Sequence, residues 1–114
     1  MTLKNFLNTL SQAPETIDFN DTMTVVDAHY TFTPCAVRNG DQQNDAGQNS
    51  GSCKLFAFAK LQKLNQQQTL NCFGQYYRND VLANPEGTDH QNIRNFMITS
   101  WDGIHFDDSP LKPI

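Results

Sequence analysis

The stretch AGQNSGSCKLFAFAK, from Ala46 to Lys60, passes from small polar residues into an almost purely apolar run. A glycine-serine loop feeds a helix that starts near Ser52, and Leu55, Phe56, Phe58, Ala59 and Leu61 leave that helix little polar face. A helix apolar on nearly every side has to be enclosed by other elements. It is therefore read as the centre of the fold, with the remaining segments as its packing. Gly47 and Gly51 are expected to take backbone angles that other residues avoid.

Before this loop, Tyr30, Thr31, Phe32, Thr33, Pro34, Cys35, Ala36 and Val37 favour extended backbone, and Asn39-Gly40 marks a two-residue hairpin turn. The return, Asp41 to Asn44, is entirely polar, so it reads as an exposed edge strand or a loop. Pro34 also argues for an edge. Further back, Leu3, Phe6, Leu7 and Leu10 recur at helical spacing behind a Thr2 cap. Asp18 and Asp21 open a second helix with Phe19, Met23, Val26 and Tyr30 on one face and Ile17 as its staple.

After the central helix, Asn65 and Gln68 form an amide capping box for a fourth helix carrying Leu70, Phe73, Tyr76 and Tyr77. Asn84-Pro85-Glu86-Gly87 is a turn. Thr88 or Asp89 then caps a fifth helix with Ile93, Phe96, Met97 and Trp101 in one stripe, which Gly103 ends. Ile104-His105-Phe106 allows one short strand that can pair with the hairpin. The expected fold is α+β: about five helices around the Phe-rich third, plus a small antiparallel hairpin or sheet, in one domain over residues 1–114.

Composition narrows the function classes. Charged residues are only 18%, and 12 Asn and 10 Gln supply the polarity instead, giving a mean hydropathy of −0.58. The net charge of −4 and a sequence pI near 5.1 offer no cationic field, and the eight Lys and Arg form no run, so nucleic acid and anionic membranes are not the expected partners. No segment approaches the ~20 apolar residues of a membrane helix, and the amino terminus lacks a secretory apolar core. Cys35, Cys53 and Cys72 contain no CxxC pair and read as reduced thiols of a bacterial cytoplasm. A short, polar type III export leader would escape that reading.

Two segments are dense enough in polar groups to carry chemistry. In the 46–53 loop, Gln48, Asn49, Ser50 and Ser52 surround a helix amino terminus, a place that favours anions and lowers the pKa of Cys53. At the start of the fifth helix, Asp89, His90, Asn92 and Arg94 could complete a shared binding rim for a small anionic ligand or a protein. The plainer reading is that Ser50, Ser52 and Asp89 cap helices while Cys53 faces the core.

Gln48 followed by Ser52-Cys53 resembles the glutamine and Gly-Ser-Cys of papain-like proteases, with His29, His90 or His105 as base and Asp89 or Asn92 as orienter. The match covers fewer than ten residues. Lys54 stands where an aromatic belongs, the Gln-to-Cys spacing is one short, and the chain is about half the needed length. Cys53 and His90 are thus the catalytic candidates of a cysteine-dependent hydrolase, the alternative to a binding module. The glycines do not fit a phosphate-binding P-loop, and no cofactor signature is present. Asp27 with His29, Asp89 with His90, and His105 with Asp107 and Asp108 repeat no known metal-ligand pattern, so no metal is expected.

Read in order, Pro14-Glu15-Thr16-Ile17, Tyr30 to Pro34, AGQNSGSCKLFAFAKLQ, CFGQYYRNDVLANPEGTDHQNIRNFM and the Trp101-Gly103-Ile104 ending resemble the HopJ type III effector family. The resemblance runs from about Thr2 to Phe106 and departs at Ser100, where a glycine is expected before Trp101. It implies an effector delivered into host cells, or a housekeeping cytosolic protein of the same family. It assigns no catalytic residue.

Overall fold

The structure, a computed structural model, describes residues 2–114. Helices α1 (Leu3–Gln12), α2 (Phe19–His29), α3 (Ser50–Leu61), α4 (Gln66–Asn71) and α5 (Gln91–Thr99) are joined by 3-10 turns at Pro14–Thr16 and Ser100–Gly103. A π-helical segment spans Tyr76–Val81. Strands β1 (Tyr30–Phe32) and β5 (Leu111–Pro113) form one antiparallel pair, and β2 (Val37–Asn39), β3 (Gln42–Asn44) and β4 (Ile104–Phe106) form a sheet of order β3-β2-β4. The fold is α+β.

α3 holds the centre. Leu55, Phe56, Ala57, Phe58 and Ala59 are consecutive and all buried. Phe56 meets Phe73, Phe96 and Trp101 edge-on or tilted, while Phe58 meets Phe6 from α1 and Tyr30 from β1. Aromatic contacts of this kind add about 0.5–1.5 kcal/mol per pair beyond burial. One helix thus gathers rings from both ends of the chain.

The local signals for α1, α2 and α4 act as the residue types dictate. Thr2 accepts the Asn5 amide, and Asp18 with Asp21 and Asn65 with Gln68 each close a capping box. The hairpin forms one residue further on than Asn39-Gly40 implies. Asn39 pairs with Gln42, so Gly40 (φ 60°) and Asp41 make the turn, a glycine-first geometry that suits the strand twist. The polar return is a true edge strand. The expected extended run is split at 33–36, with β1 and β2 entering different sheets, and β5 was not anticipated. Its three residues, Leu111, Lys112 and Pro113, carry too short a pattern to read.

Two glycines serve ends that sequence spacing did not show. Gly47 does take a left-handed φ of 89°, but Gly51 lies inside α3 and is required for space, since a Cβ there would stand 2.8 Å from the Phe19 ring. Gly74 (φ 61°) ends the α4 region, and a Cβ on it would meet the backbone of Asp18 and Phe19 at 2.5–2.8 Å. That close approach stops α4 from continuing as one helix to Tyr77. The chain resumes as the π-helical segment instead.

Ser100 explains the missing glycine. Its φ of 53° and ψ of −146° lie near a region that only glycine occupies without strain, at a cost of about 1–3 kcal/mol for other residues. Ser100→Gly is expected to stabilise the protein by about 1 kcal/mol after glycine's own entropy is counted. Ser100→Ala should bring no such gain. Thermal unfolding followed by circular dichroism decides it: equal midpoints for wild type and the glycine variant would mean the backbone at Ser100 is unstrained.

Candidate functional site

A cleft of about 430 Å³ opens where the first residues of α3 and α5 meet, walled by Phe19 and Phe73 on one side and Tyr76 and His90 on another. Asn49, Gly51 and Ser52 reach it from α3, and His90, Gln91, Asn92 and Ile93 from α5. Gln42 of β3 completes it. The two polar segments singled out by sequence therefore share one cavity.

Buried amides hold them together. Asn92 Nδ2 donates to Asn44 Oδ1 (3.1 Å), and Asn44 Nδ2 donates to Asn92 Oδ1 (3.0 Å), a reciprocal pair. Asn39 Nδ2 donates to the Asn92 carbonyl at 2.7 Å, and Asn49 Nδ2 to Asn44 Oδ1 at 2.7 Å. Asn39, Asn44 and Asn92 are all buried, so each bond replaces water that is no longer there. A buried amide left without its partner costs about 1–3 kcal/mol. The network thus ties the β2–β3 hairpin, the α3 start and the α5 start into one unit.

The helix starts differ from those expected. α3 begins at Ser50, so Ser50 and Ser52 lie inside it, and Asn49 occupies the cap position in the left-handed region (φ 49°). Its side chain is turned to Asn44 and makes no cap bond. α5 begins at Gln91, and neither Thr88 nor Asp89 caps it. His90 stands there, also left-handed (φ 49°) and also without a cap bond. Neither helix start is capped by a side chain, and residues from both first turns, at the positive ends of the dipoles, line the same cleft.

His90 is held on two sides. Its Nε2 lies 2.9 Å from Asp80 Oδ2, and its ring stacks on Tyr76 with centroids 5.2 Å apart. Tyr76 and Asp80 both belong to the π-helical segment, whose widened turn sets residues four apart on one side. Sequence reading missed Asp80 as a partner, because the nine intervening residues, most of them turn, erase any spacing signal. Phe73 and Tyr76, read from their spacing as core residues, do belong to the core and its edge, and they line the cleft as well.

Other candidates are placed away from the cleft. Gln48 Oε1 accepts the Asp45 amide and closes the preceding loop. Arg94 spends its guanidinium on the 84–89 loop: Nη1 donates to the Asn84 carbonyl (3.0 Å), and Nη2 donates to Asp89 Oδ1 (2.6 Å). That contact holds the Asp89 carboxyl below its ordinary pKa. Ser50 does not line the cleft, and no lysine or arginine does so among the described residues.

Cys53 is not the nucleophile that a papain-like reading needs. It is 2% exposed, and burial, with Cys35 beside it, pushes its thiol up to about 11. Its one hydrogen-bond partner among the described residues is the Cys35 carbonyl, 3.9 Å away, and no imidazole is in reach. The expected downward shift fails for a geometric reason: the helix starts three residues before Cys53, whose side chain points into the core and not along the dipole. Burial raises Cys72 as well, to about 12. No group of three or more His, Cys, Asp or Glu that could hold a metal ion occurs among the described residues.

Fold and site together describe a small α+β protein with a polar, aromatic-walled cleft. The family model "HopJ type III effector protein" matches residues 3–111, and the chain belongs to that family. It is similar to VPA0580, a protein of unknown function with a crystal structure, at 54% identity and a TM-score of 0.98. The alignment covers 100% of this chain and 95% of that one. No curated protein matches. No helix is long and apolar enough to cross a membrane among the described residues.

Two outcomes are expected of this geometry. In native protein at pH 8, iodoacetamide should label Cys35, which is partly exposed, while Cys53 and Cys72 stay unmodified until unfolding; peptide mass spectrometry gives the rates. Rapid native labelling of Cys53 would reinstate the nucleophile. Asn92→Ala should lose about 1–3 kcal/mol in urea unfolding, since it removes both bonds of the reciprocal pair with Asn44. A loss under 0.5 kcal/mol would show that the network does not hold the cleft.

Proposed function

We propose that this HopJ family member is a binding module whose cleft between the starts of α3 and α5 takes a small anionic ligand. One observation carries the reading: two helices, 12 and 9 residues long, begin at one cavity with cap side chains turned elsewhere, Asn49 to Asn44 and His90 to Asp80. The uncapped amides are donors in search of an acceptor. The Ser52 hydroxyl and the Gln42 amide add hydrogen-bonding capacity, and the Tyr76 and Phe19 rings accept a flat portion of the ligand.

The magnitudes are modest. A helix end contributes at most ~2 kcal/mol to a favourably placed anion, so two give roughly 4 kcal/mol, or a Kd of about 1 mM for a bare anion. Tighter binding would come from the part of the ligand that stacks on the aromatic wall. The overall negative charge and the lack of a cleft lysine or arginine argue against a polyanion.

The buried Cys53 thiol supports binding over cysteine-dependent hydrolysis. Delivery into a host cell is the reading of location that the family name supports, with work in the producing bacterium's own cytoplasm as its rival. Either location uses the same cleft.

Titration of inorganic phosphate into ¹⁵N-labelled protein tests the proposal. The amide resonances of Gly51, Ser52, Gln91 and Asn92 should move together and saturate with a Kd on the order of 1 mM. Ser52→Asp, which places a carboxylate in the first turn of α3, should abolish the shifts while leaving the fold intact. Shifts scattered over the surface, or equal in the variant, would rule the cleft out as an anion site.

A further inference from the structure

A second concavity, of about 590 Å³, lies at the other end of α3, between that helix and the segment joining β4 to β5. Leu61, Phe106 and Leu111 give it an apolar floor, and Lys60 and Lys63 stand at its rim. Leu61 is 51% exposed in a chain whose other central-helix leucine is fully buried.

The positive charges are the telling feature. Arg38, Lys54, Arg78 and Arg94 are each committed, to Gly40, Asp27, the Pro14 and Ile17 carbonyls, and Asp89 respectively. Lys4, Lys60, Lys63 and Lys112 pair with no carboxylate among the described residues, and of these Lys60 and Lys63 stand together at the groove. Lys60 instead lays its ammonium over the Phe106 ring, 5.6 Å from the centroid. Lys63 sits in the left-handed region (φ 57°) just after α3, where glycine is the ordinary choice, and its backbone closes the helix end. Asp108, the groove's one acid, has Oδ1 occupied by the Ser109 amide at 2.8 Å. With two lysines against one aspartate, the apolar-floored groove carries one net positive charge on a surface that is negative overall.

We propose that this groove docks a short acidic peptide segment of a protein partner, with one apolar side chain set against Leu61, Phe106 and Leu111 and flanking carboxylates on Lys60 and Lys63. Charge complementarity selects this occupant. An acidic segment gains two ion pairs here on a chain of net charge −4, whereas a second copy of this chain would bring the same net negative charge. The apolar anchor supplies affinity and the lysines supply selection and speed of encounter. The site is separate from the cleft and stands whether or not the cleft binds anions.

Selection of a random heptapeptide phage library on the immobilised full chain tests it, followed by fluorescence anisotropy with the peptides recovered. Peptides with Asp or Glu on both sides of Leu or Phe are expected, with binding weakened by salt. Lys60→Glu combined with Lys63→Gly should lower affinity at least tenfold, and Leu61→Asp likewise. Lys63→Gly relaxes the backbone, so loss of binding in a variant with an unchanged melting curve is not unfolding. The proposal is overturned if no peptide is enriched, if the enriched peptides lack acidic residues, or if they bind both variants as well as wild type. It is equally overturned if anionic lipid vesicles bind through these lysines while no acidic peptide is selected.

Discussion

The burial of α3 on all sides is the constraint from which the architecture follows. Five consecutive apolar residues, Leu55 to Ala59, leave no face for water, so partners must come from every direction. Phe6 and Tyr30 arrive from the amino-terminal half, and Phe73, Phe96 and Trp101 from the carboxy-terminal half. Truncating Phe56 would remove a ring that touches three others, the kind of core change that costs about 3–5 kcal/mol. The short strands could not stand without this core, since three-residue strands are too brief to be stable alone.

At the amino-terminal end of α3 the packing changes from apolar to amide. Buried asparagines cost more than leucines unless each finds a partner, and here three of them, with the exposed Asn49, serve one another across the hairpin, α3 and α5. Asn39 Oδ1 is the one buried side-chain polar atom among the described residues without a donor, so the network holds its geometry at some expense. A hydrophobic patch would have joined the same segments with less loss. What an amide network adds is direction: it fixes Asn49 and Asn92 in the orientation that turns the helix starts toward the cleft.

Legibility followed the range of the interaction that decides each feature. Helices α1, α2 and α4 were readable because a cap and a periodic stripe are local: Thr2, the Asp18–Asp21 pair and the Asn65–Gln68 pair. The pairing of Ile104-His105-Phe106 with the hairpin was readable from alternation and economy of topology. The starts of α3 and α5 were misplaced because their cap residues, Asn49 and His90, are committed to partners 5 and 10 residues away. The π-helical segment was invisible for a similar reason. The break before it falls at Gly74, whose left-handed backbone packs too close to Asp18 and Phe19 to admit a Cβ, and no window of sequence contains that approach. The two polar segments were found by composition and do meet, yet Gln48 and Arg94 turn out to brace loops, while Tyr76 was read as a helix-face residue only and Asp80 was not singled out.

The cleft and the lysine groove sit at opposite ends of one helix of 12 residues, a span of about 18 Å. A ligand at one end can influence the other only through an element with two stable arrangements. α3 is a poor element of that kind, because its middle is packed on every face and interiors at crystal density do not slide by fractions of a turn. The irregular connections lie elsewhere: the 45–49 loop beside the cleft, and the 107–110 segment beside the groove. Each belongs to one surface, and no backbone–backbone hydrogen bond joins the two. Occupation of the cleft and of the groove should therefore be additive in free energy, so that a protein of this size carries two independent contacts on a rigid spacer and not a switch.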